Sequence, residues 1–412
     1  MHYIERAGDR AFHGIRIHHA WDQSAITQYS NRSGHMHDQL ADYLSDPFLA
    51  TLYADLRAIG PLRAILVDIT HECNLRCTGC YFFAEEMDQR ESPTDEAEFD
   101  DFVSREKQRG TNFVTIVGGE PSLRLDRVKK MHENFWATVV TNGIRRIPRE
   151  GFENMSIGLS VWGDHATDTK LRGNGKIPVF AKALKNYEGD SRAIWYYTTT
   201  PQNAHEIEHV VDQIVGNGNY VSFNFYGDIT GLGGRFDHRH GFEEVRREID
   251  RMIARYPEQI LFSPHISRVV STGTLFDEKW GYDVCCSITP GNPINQERIK
   301  NGNPYNAHFR AYNPDLVTTR RCCVGNERNC ENCYDVYAHI SWIMMNLHRH
   351  MGTKQDFTDW LTTMYIFYLG NRIIPFKERI GLLPEIHRRS SLAGALDAAA
   401  CEAELAQIAE AL

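Results

Sequence analysis

The stretch ILVDITHECNLRCTGCY, residues 65–81, joins a short apolar run to three closely spaced cysteines. The first five residues are aliphatic around a single Asp, which is typical of a buried strand. Cys73, Cys77 and Cys80 follow in a CxxxCxxC spacing, which does not bring three thiols onto one face of a helix. A loop that wraps a compact inorganic group satisfies this spacing. The stretch therefore indicates a strand followed by a metal-binding loop.

Three cysteines leave one iron of a four-iron cubane without a protein ligand, so an iron–sulfur cluster held here has one open coordination position. Zinc is an alternative, although it prefers four ligands in paired CxxC spacing, and His71 is the one obvious further ligand nearby. Buried thiols without a metal are the third interpretation.

A regular alternation of strands and helices begins at Arg63. The predicted strands are 64–69, 112–117, 137–141, 156–161, 193–199 and 220–226, and the predicted helices are 94–109, 123–133, 177–187, 203–216 and 241–256. Strands that alternate with helices form a parallel sheet. Six such units predict an α/β fold, a partial (β/α)6 TIM-like barrel, because a closed eightfold barrel needs about 250 residues.

The rest of the chain predicts extensions on both sides of this barrel. We expect an N-terminal extension at 1–60, the barrel at 61–260, a Cys-rich extension at 261–340 and a helical region at 341–412. Helical spacing of apolar residues recurs at 38–57, 335–370 and 391–412, whereas 258–334 predicts irregular structure. The Met- and aromatic-rich segment that starts at Trp342 is expected to be a helix of the core.

Composition narrows the function further. The chain has 412 residues and a formal net charge of −9, which argues against nucleic acid or an anionic membrane as the main partner. Residues 1–30 lack the apolar segment of a signal peptide, so we expect a cytoplasmic protein. In that reducing compartment ten cysteines indicate metal ligands or reactive thiols rather than disulfides.

A second motif reinforces the first. The residues Gly118, Gly119, Glu120 and Pro121 come directly after the predicted strand 112–117. With CxxxCxxC at this distance, the chain resembles the radical S-adenosylmethionine (SAM) superfamily over about residues 63–260. The resemblance implies a 4Fe–4S cluster on the three cysteines, with SAM bound to the open iron and its amino group bound by the Gly-Gly-Glu-Pro motif. It implies reductive cleavage of SAM to a 5′-deoxyadenosyl radical.

The resemblance extends to the ends of later strands. It assigns Thr141 and Asn142 to the SAM site, Ser160 to the ribose and Arg172 to the SAM carboxylate. Many members carry an aromatic residue before the third cysteine, where this chain has Gly79, so Tyr81 or Phe82 is expected to pack on the adenine. The CxGC form resembles the branch of the hopanoid adenosyl transferase and aminoglycoside dehydratases.

Six further cysteines lie together after the barrel, at Cys285, Cys286, Cys322, Cys323, Cys330 and Cys333. They resemble the SPASM and twitch extensions of the superfamily, which implies an auxiliary cluster on Cys286, Cys323, Cys330 and Cys333. Zinc and free thiols are the alternatives. Cys286, Cys322 or Cys323 could instead act as a catalytic thiol that donates a hydrogen atom or captures a soft metalloid.

These features predict an enzyme that modifies a polar small molecule in a biosynthetic pathway, with a flavodoxin or ferredoxin as electron donor. Three alternatives stay open. They are transfer of an adenosyl or 3-amino-3-carboxypropyl group to a small substrate, such as a thiolate-bound metalloid; a peptide maturase; and a non-enzymatic electron carrier or metal sensor. Arg320 and Arg321 either bind an anionic substrate group or are solvated. The His-rich spots, including His348 and His350, are expected at the surface.

Overall fold

The computed structural model describes residues 38–60, 62–83, 91–93, 95–227, 242–285, 310–320 and 327–390. Its centre is a sheet in which six parallel strands follow chain order. They are β1 Ala64–Asp68, β2 Phe113–Val117, β3 Trp136–Thr141, β4 Ser156–Val161, β5 Ala193–Thr199 and β6 Tyr220–Phe225. Each agrees within one residue at either end with the predicted strand, so the α/β class is confirmed.

Helices follow most of these strands, and further helices form the C-terminal part. The α-helices are Pro47–Ile59, Glu96–Gln108, Leu125–Asn134, His165–Leu171, Val179–Asn186, Ile207–Gly216, Phe242–Arg255, Pro264–Thr272, Val336–Met345, Leu347–His350, Lys354–Gly370, Phe376–Arg379 and Leu383–Arg389. Short 3-10 segments are Tyr81–Phe83, Pro121–Leu123, Pro201–Glu206, Glu327–Asn332 and Ile380–Leu382. The helix His165–Leu171 was not predicted, because its seven residues are too few for a clear apolar period. None of the described helices is long and apolar enough to cross a bilayer.

Two short strands extend the sheet beyond β1. The strand β9, Arg310–Tyr312, runs parallel to β1, and β10, Thr319–Arg320, runs antiparallel to β9. A separate hairpin joins β7, Thr274–Leu275, to β8, Glu278–Lys279. The prediction of irregular structure over 258–334 is therefore wrong for these strands and for the helix after Ser263. Strands of two or three residues carry too short a pattern to be detected, and β9 is stabilised by the ladder that β1 offers.

In the described residues β6 ends the strand order on one side and β10 on the other, so the barrel is open, as predicted. Its lower end, where the strands begin, is covered by the end of the helix Lys354–Gly370. Thr138 donates its hydroxyl to Asn371 Oδ1 at 2.7 Å, and Ser156 donates its hydroxyl to the Gly370 carbonyl at 2.7 Å. The carboxyl ends of the strands are left for a functional site.

The C-terminal helices bear out one expectation and contradict another. Trp342 and Ile343 are completely buried, so this segment is core helix, as predicted. His348 is exposed, but His350 is completely buried, and the surface assignment of that histidine is wrong. A helix surrounded by protein on all sides is apolar all round, so the spacing of its apolar residues does not show which histidine is buried. The predicted helix 391–412 lies outside the described residues.

Candidate active site at the carboxyl ends of the strands

The cysteine loop follows β1 and ends in the 3-10 turn at Tyr81–Phe83. It leans on the end of the helix His165–Leu171, because the Thr78 N–H donates to the Leu171 carbonyl at 2.7 Å. The Cys77 Sγ lies 3.8 Å from the Arg172 carbonyl, and the Leu75 N–H donates to Cys73 Sγ at 3.4 Å. The loop is therefore fixed at the carboxyl ends of β1 and β4.

The three thiols of this loop lie near one another. Burial raises the pKa of Cys73 to about 11 and that of Cys80 to about 12, and it raises the pKa of Cys77 as well. Cys77 further raises the pKa of both neighbours, because two adjacent thiolates repel each other. Three thiols in this setting need a compensating cation in order to ionise. Such a group of thiols is the donor set of an iron–sulfur cluster. Among the described residues, no three His, Cys, Asp or Glu side chains form a site for a single metal ion.

Two glycines bring the end of β2 against the start of the cysteine loop. The Gly119 N–H donates to the Thr70 carbonyl at 2.8 Å, and the Glu120 N–H donates to the Glu72 carbonyl at 2.7 Å. Gly118 has φ +123°, and a Cβ on Gly119 would overlap the Glu72 carbonyl. Only glycine permits this close approach of the two backbones.

The Glu120 carboxylate holds the ends of β2 and β3 together. It is buried, and it accepts hydrogen bonds from the Ser122 N–H at 2.9 Å, the Thr141 hydroxyl at 2.5 Å and the Asn142 N–H at 2.8 Å. The sequence placed Glu120, Thr141 and Asn142 in one site, and the structure brings them into contact. Pro121 is buried and begins the 3-10 turn that presents Ser122 to this carboxylate.

Asn142 connects β3 to the cysteine loop. Its side-chain amide donates to Asn74 Oδ1 at 2.7 Å, and Asn74 is the residue after Cys73. The sequence analysis did not single out Asn74, and a polar residue inside a cysteine loop carries no pattern that could have identified it. Glu120, Asn142 and Asn74 thus form one chain of contacts from β2 to the thiols.

Arg172 completes the site on the side of β4. Its Nη1 donates to the Ser160 carbonyl at 2.6 Å and to Asp168 Oδ1 at 3.0 Å, and the side chain is buried. Burial disfavours the charged guanidinium, but Asp168 and Cys77 outweigh burial and raise the pKa of Arg172. The sequence analysis missed Asp168, although its i, i+4 spacing from Arg172 indicated a pair.

The two aromatic residues expected to pack on adenine are not alike in the structure. Phe82 is only 2% exposed and meets Phe83 edge-on, with ring centroids 5.3 Å apart. Phe83 lies under the Arg76 guanidinium, which is 3.7 Å from the ring centroid. The side chain of Tyr81 lies outside what the structure describes. Phe82 is therefore committed to the packing beneath the loop.

The second cysteine group reaches the same end of the sheet. The turn that carries Cys330 and Cys333 packs against Gly227, just after β6, where a Cβ would come within 2.9 Å of the Asn332 carbonyl. Cys330 and Cys285 are buried and Cys333 is half-buried. Cys286, Cys322 and Cys323 lie outside the described residues.

Arg320 has a partner inside the protein. Its guanidinium forms an ion pair with Asp68, the last residue of β1, and both side chains are nearly inaccessible to solvent. The sequence predicted that this arginine is either solvated or an exposed anion site, and the ion pair contradicts both interpretations. Arg321 lies outside the described residues.

Several polar side chains lie beside one another on β4 to β6. Register places Ser160 beside Tyr196 and Tyr196 beside Ser222, with Asn224 two residues further along β6. The Tyr196 and Tyr337 hydroxyls are 2.9 Å apart. Tyr196, Ser222, Asn224 and Tyr337 share a cavity of about 40 Å³ with mostly apolar residues and with Phe367 and Asn371, at the end of the sheet that the helix Lys354–Gly370 covers. The cavity has room for a water molecule.

Comparison with known proteins agrees with this site. Residues 67–187 match the family model described as Radical SAM superfamily. Fe-coproporphyrin III synthase of Methanosarcina barkeri (strain Fusaro / DSM 804) is 25% identical over 208 residues, which are 46% of this chain and 51% of that protein. The chain thus spans about half the length of the curated relative it matches.

The chain is also similar to two solved structures. The crystal structure of Streptococcus suis SuiB has 15% identity, covers 70% of each chain and has a TM-score of 0.41. The structure of anSMEcpe with bound AdoMet and the Cp18Cys peptide has 15% identity, covers 72% of this chain and 83% of that chain, and has a TM-score of 0.45.

The open parallel sheet with a cysteine loop after its first strand is an α/β fold of the radical SAM type. The chain carries a radical SAM domain over residues 67–187.

Proposed function

We propose that the protein reductively cleaves SAM at a 4Fe–4S cluster bound by Cys73, Cys77 and Cys80, and that the resulting 5′-deoxyadenosyl radical modifies a polar small molecule in a biosynthetic pathway. The observation that carries this proposal is the convergence of the three thiols with the Gly118–Glu120 backbone and with Arg172 at one end of the sheet. An electron carrier without a SAM site would need neither the Gly118–Glu120 backbone nor Arg172 beside the thiols.

The residues present fit such a cluster. Three neighbouring thiols on one short loop supply its ligands, and the charge of Arg172 favours the ionised form of Cys77. When bound, a cluster of this kind supplies an iron with an open coordination position and one electron at low potential. Gly118 and Gly119 let the end of β2 approach the start of the cysteine loop closely, beside the proposed position of the amino acid part of SAM.

Arg172 is proposed to bind the SAM carboxylate. A guanidinium has five N–H donors in a planar fork, and the described bonds to the Ser160 carbonyl and Asp168 use Nη1. Those bonds fix the orientation of the guanidinium. Its remaining N–H donors can therefore bind a carboxylate without a further loss of side-chain freedom. Ser160, on the same strand, is proposed to bind the ribose.

Polar side chains on neighbouring strands support a polar substrate. Hydroxyl and amide groups of Ser160, Tyr196, Ser222 and Asn224 lie on adjacent strands. Both arginines described in the site, Arg172 and Arg320, are already paired with carboxylates. Neutral hydrogen-bonding groups favour a hydroxyl- or amide-bearing substrate over a strongly anionic one.

A second metal centre is proposed at Cys330 and Cys333, with Cys286 and Cys323 as the other two ligands and zinc as the rival metal. The position of the Cys330–Cys333 turn beside Gly227 supports it, because this turn lies at the end of β6. A low-potential flavodoxin or ferredoxin is proposed as the electron donor.

Anaerobic reconstitution with iron and sulfide, followed by reduction with dithionite in the presence of SAM, tests the main proposal. We expect 5′-deoxyadenosine from the wild type, none from Cys77→Ala, and an unchanged yield from Cys401→Ala, which removes a cysteine outside both groups. A wild type that forms no SAM cleavage product would sink the proposal. Iron and sulfide counts in the Cys73/Cys77/Cys80→Ala variant test the second centre, since a residual cluster supports it and none contradicts it.

A further inference from the structure

We infer that an exposed basic surface beside the cysteine loop is the docking site for a small acidic one-electron carrier protein, of the flavodoxin or ferredoxin class. This inference rests on the proposed function and assigns the electron donor to one face of the protein. One electron leaves the reduced carrier and enters the metal group held by the cysteine loop, and no bond forms or breaks in this step.

The charge of three segments around the loop is the first observation. Residues 74–78, 142–149 and 170–186 contain nine Lys and Arg and no Asp or Glu, although the whole chain has a formal net charge of −9. Arg172 is buried and paired with Asp168. The other eight are exposed. They form the basic patch and are Arg76, Arg145, Arg146, Arg149, Lys170, Lys176, Lys182 and Lys185.

Hydrogen bonds join the three segments to one another. The cysteine loop bonds to the second segment through Asn142 and to the third through the Leu171 carbonyl. The second and third segments are also in contact, because the Asn186 amide donates to the Gly143 and Ile144 carbonyls at 2.9 and 2.8 Å. The basic patch is therefore one continuous region that begins at the cysteine loop.

Most cations of the basic patch have no acidic partner in the described part of the chain. There, Arg146 is the only one of the eight that forms an ion pair with a carboxylate, at 3.8 Å from Asp190. Unpaired like charges repel one another, and an acidic surface on a partner relieves this repulsion. The field of such a patch also steers an acidic protein toward it in solution.

The basic patch lies where an electron would enter the protein. Arg76 belongs to the cysteine loop itself, and its exposed guanidinium lies 3.7 Å from the centroid of the Phe83 ring. The three thiols of the loop are only partly buried. A carrier that docks here is separated from the metal group by one short loop. A carrier at the closed end would be separated from it by the length of the barrel strands, and electron transfer slows steeply with distance.

A nucleic acid is the other macromolecule that a basic surface binds. Proteins that bind single strands combine cations with aromatic side chains on which the bases stack. The three segments of the basic patch contain one aromatic residue, Phe180, and it is buried. Without a stacking surface, the patch fits an acidic protein better than a nucleic acid strand.

Binding of two purified carriers tests the inference. An acidic flavodoxin and an acidic ferredoxin, both oxidised, are titrated into cluster-loaded protein at low ionic strength. Charge reversal in the triple variant Lys170→Glu/Lys176→Glu/Lys182→Glu is expected to weaken carrier binding about tenfold or more. Added salt should weaken binding to the wild type strongly and binding to the triple variant little.

The matched control is Lys107→Glu/Arg247→Glu/Lys377→Glu, which makes the same change in net charge at exposed cations outside the basic patch. It is expected to bind the carriers within about twofold of the wild type.

The rate of SAM cleavage gives a second measurement. With limiting reduced carrier, the triple variant is expected to form 5′-deoxyadenosine about tenfold more slowly than the wild type. Excess dithionite is a small reductant that needs no docking surface, so with dithionite the two rates should agree within about twofold. The ratio of the two rates separates a docking defect from a defect in the SAM site.

Each outcome is decisive. Equal carrier binding by the triple variant and the wild type overturns the inference, and so does a wild type that binds neither carrier. An equal loss in the control variant overturns it as well, because that loss would come from net charge alone. If the triple variant does not fold, Lys170→Gln/Lys176→Gln/Lys182→Gln replaces it and is expected to cause a smaller loss of the same kind.

Two further outcomes have separate meanings. Binding of a labelled tRNA that the triple variant loses while it keeps carrier binding would assign the basic patch to nucleic acid and overturn the inference. A wild type that forms no SAM cleavage product with dithionite overturns the proposed function itself, whatever the carriers bind.

Discussion

The two ends of the barrel are built from different interactions. At the carboxyl ends of the strands, buried charges and backbone contacts converge, as with Glu120 between β2 and β3 and Arg172 between β4 and the cysteine loop. At the other end, neutral side chains close the lumen: Phe367 meets Phe113 edge-on at 6.1 Å, and Thr138 bonds to Asn371. The difference indicates that one end is arranged for chemistry and the other for stability. Four predictions can contradict or refine that division.

Phe367→Ala, at the closed end, should have the largest effect on stability. Loss of a nearly buried aromatic side chain leaves a cavity and lowers the free energy of unfolding by about 3–5 kcal/mol. Urea unfolding measures this effect, with Tyr282→Ala as an exposed aromatic control that should stay within about 0.5 kcal/mol. SAM affinity of the folded variant should not change, and a parallel loss of affinity would contradict the division.

Acid should destabilise the C-terminal helices through their buried histidines. Burial lowers the pKa of His339, His350 and His387 to about 4, below the unfolded value of about 6.5. Between these values the unfolded chain binds more protons, so stability is lost as the pH falls from about 6.5 to 4. Each histidine contributes up to about 1.4 kcal/mol per pH unit.

The difference in unfolding free energy between pH 7 and pH 5 tests this prediction. His350→Leu should reduce it, and His348→Leu, which removes an exposed neighbour with only a minor effect on the pKa of His350, should change it much less. Equal pH dependence in the wild type and in His350→Leu would show that this histidine is not buried in its neutral form.

Glu120→Gln, at the open end, should cost about 1.5–3 kcal/mol, because an amide accepts with one oxygen whereas the carboxylate accepts three bonds with two. It should also weaken SAM binding, since the ends of β2 and β3 lose their common anchor. Calorimetric SAM titration and urea unfolding separate the two effects. Glu150→Gln, an exposed carboxylate, is the control and should leave both quantities unchanged.

Thr138→Val should have the smallest effect, about 1 kcal/mol, because it removes one buried hydrogen bond and keeps the volume of the side chain. Thr115→Val changes its register partner on β2 and should stay within about 0.5 kcal/mol. A measurable change in SAM affinity for Thr138→Val would extend the site to the closed end of the lumen.

The sequence predicted the open end better than the closed end, for a physical reason. The residues Cys73 to Cys80 and Gly118 to Pro121 are short, local patterns in which chemistry restricts the choice of residue. Asn74 reaches the same site through a tertiary contact that no sequence spacing indicates, and Asp168 was indicated only by its i, i+4 spacing from Arg172. At the closed end, Phe367 and Asn371 are ordinary members of a buried helix, and only the folded chain shows that they close the barrel. The ion pair of Arg320 with Asp68 joins residues 252 positions apart, which local patterns cannot reveal.

The position of β9 beside β1 has a consequence for synthesis on the ribosome. β6 ends at residue 225 and β9 begins at residue 310, a gap of 85 residues. At about 5–20 residues per second, the parallel sheet therefore emerges roughly 4 to 17 s before the strand that covers β1. During this interval the outer side of β1 has no partner from the later chain, and such an edge readily pairs with another polypeptide. Completion of the cysteine-rich segment thus ends a period in which the nascent chain is prone to misassociation.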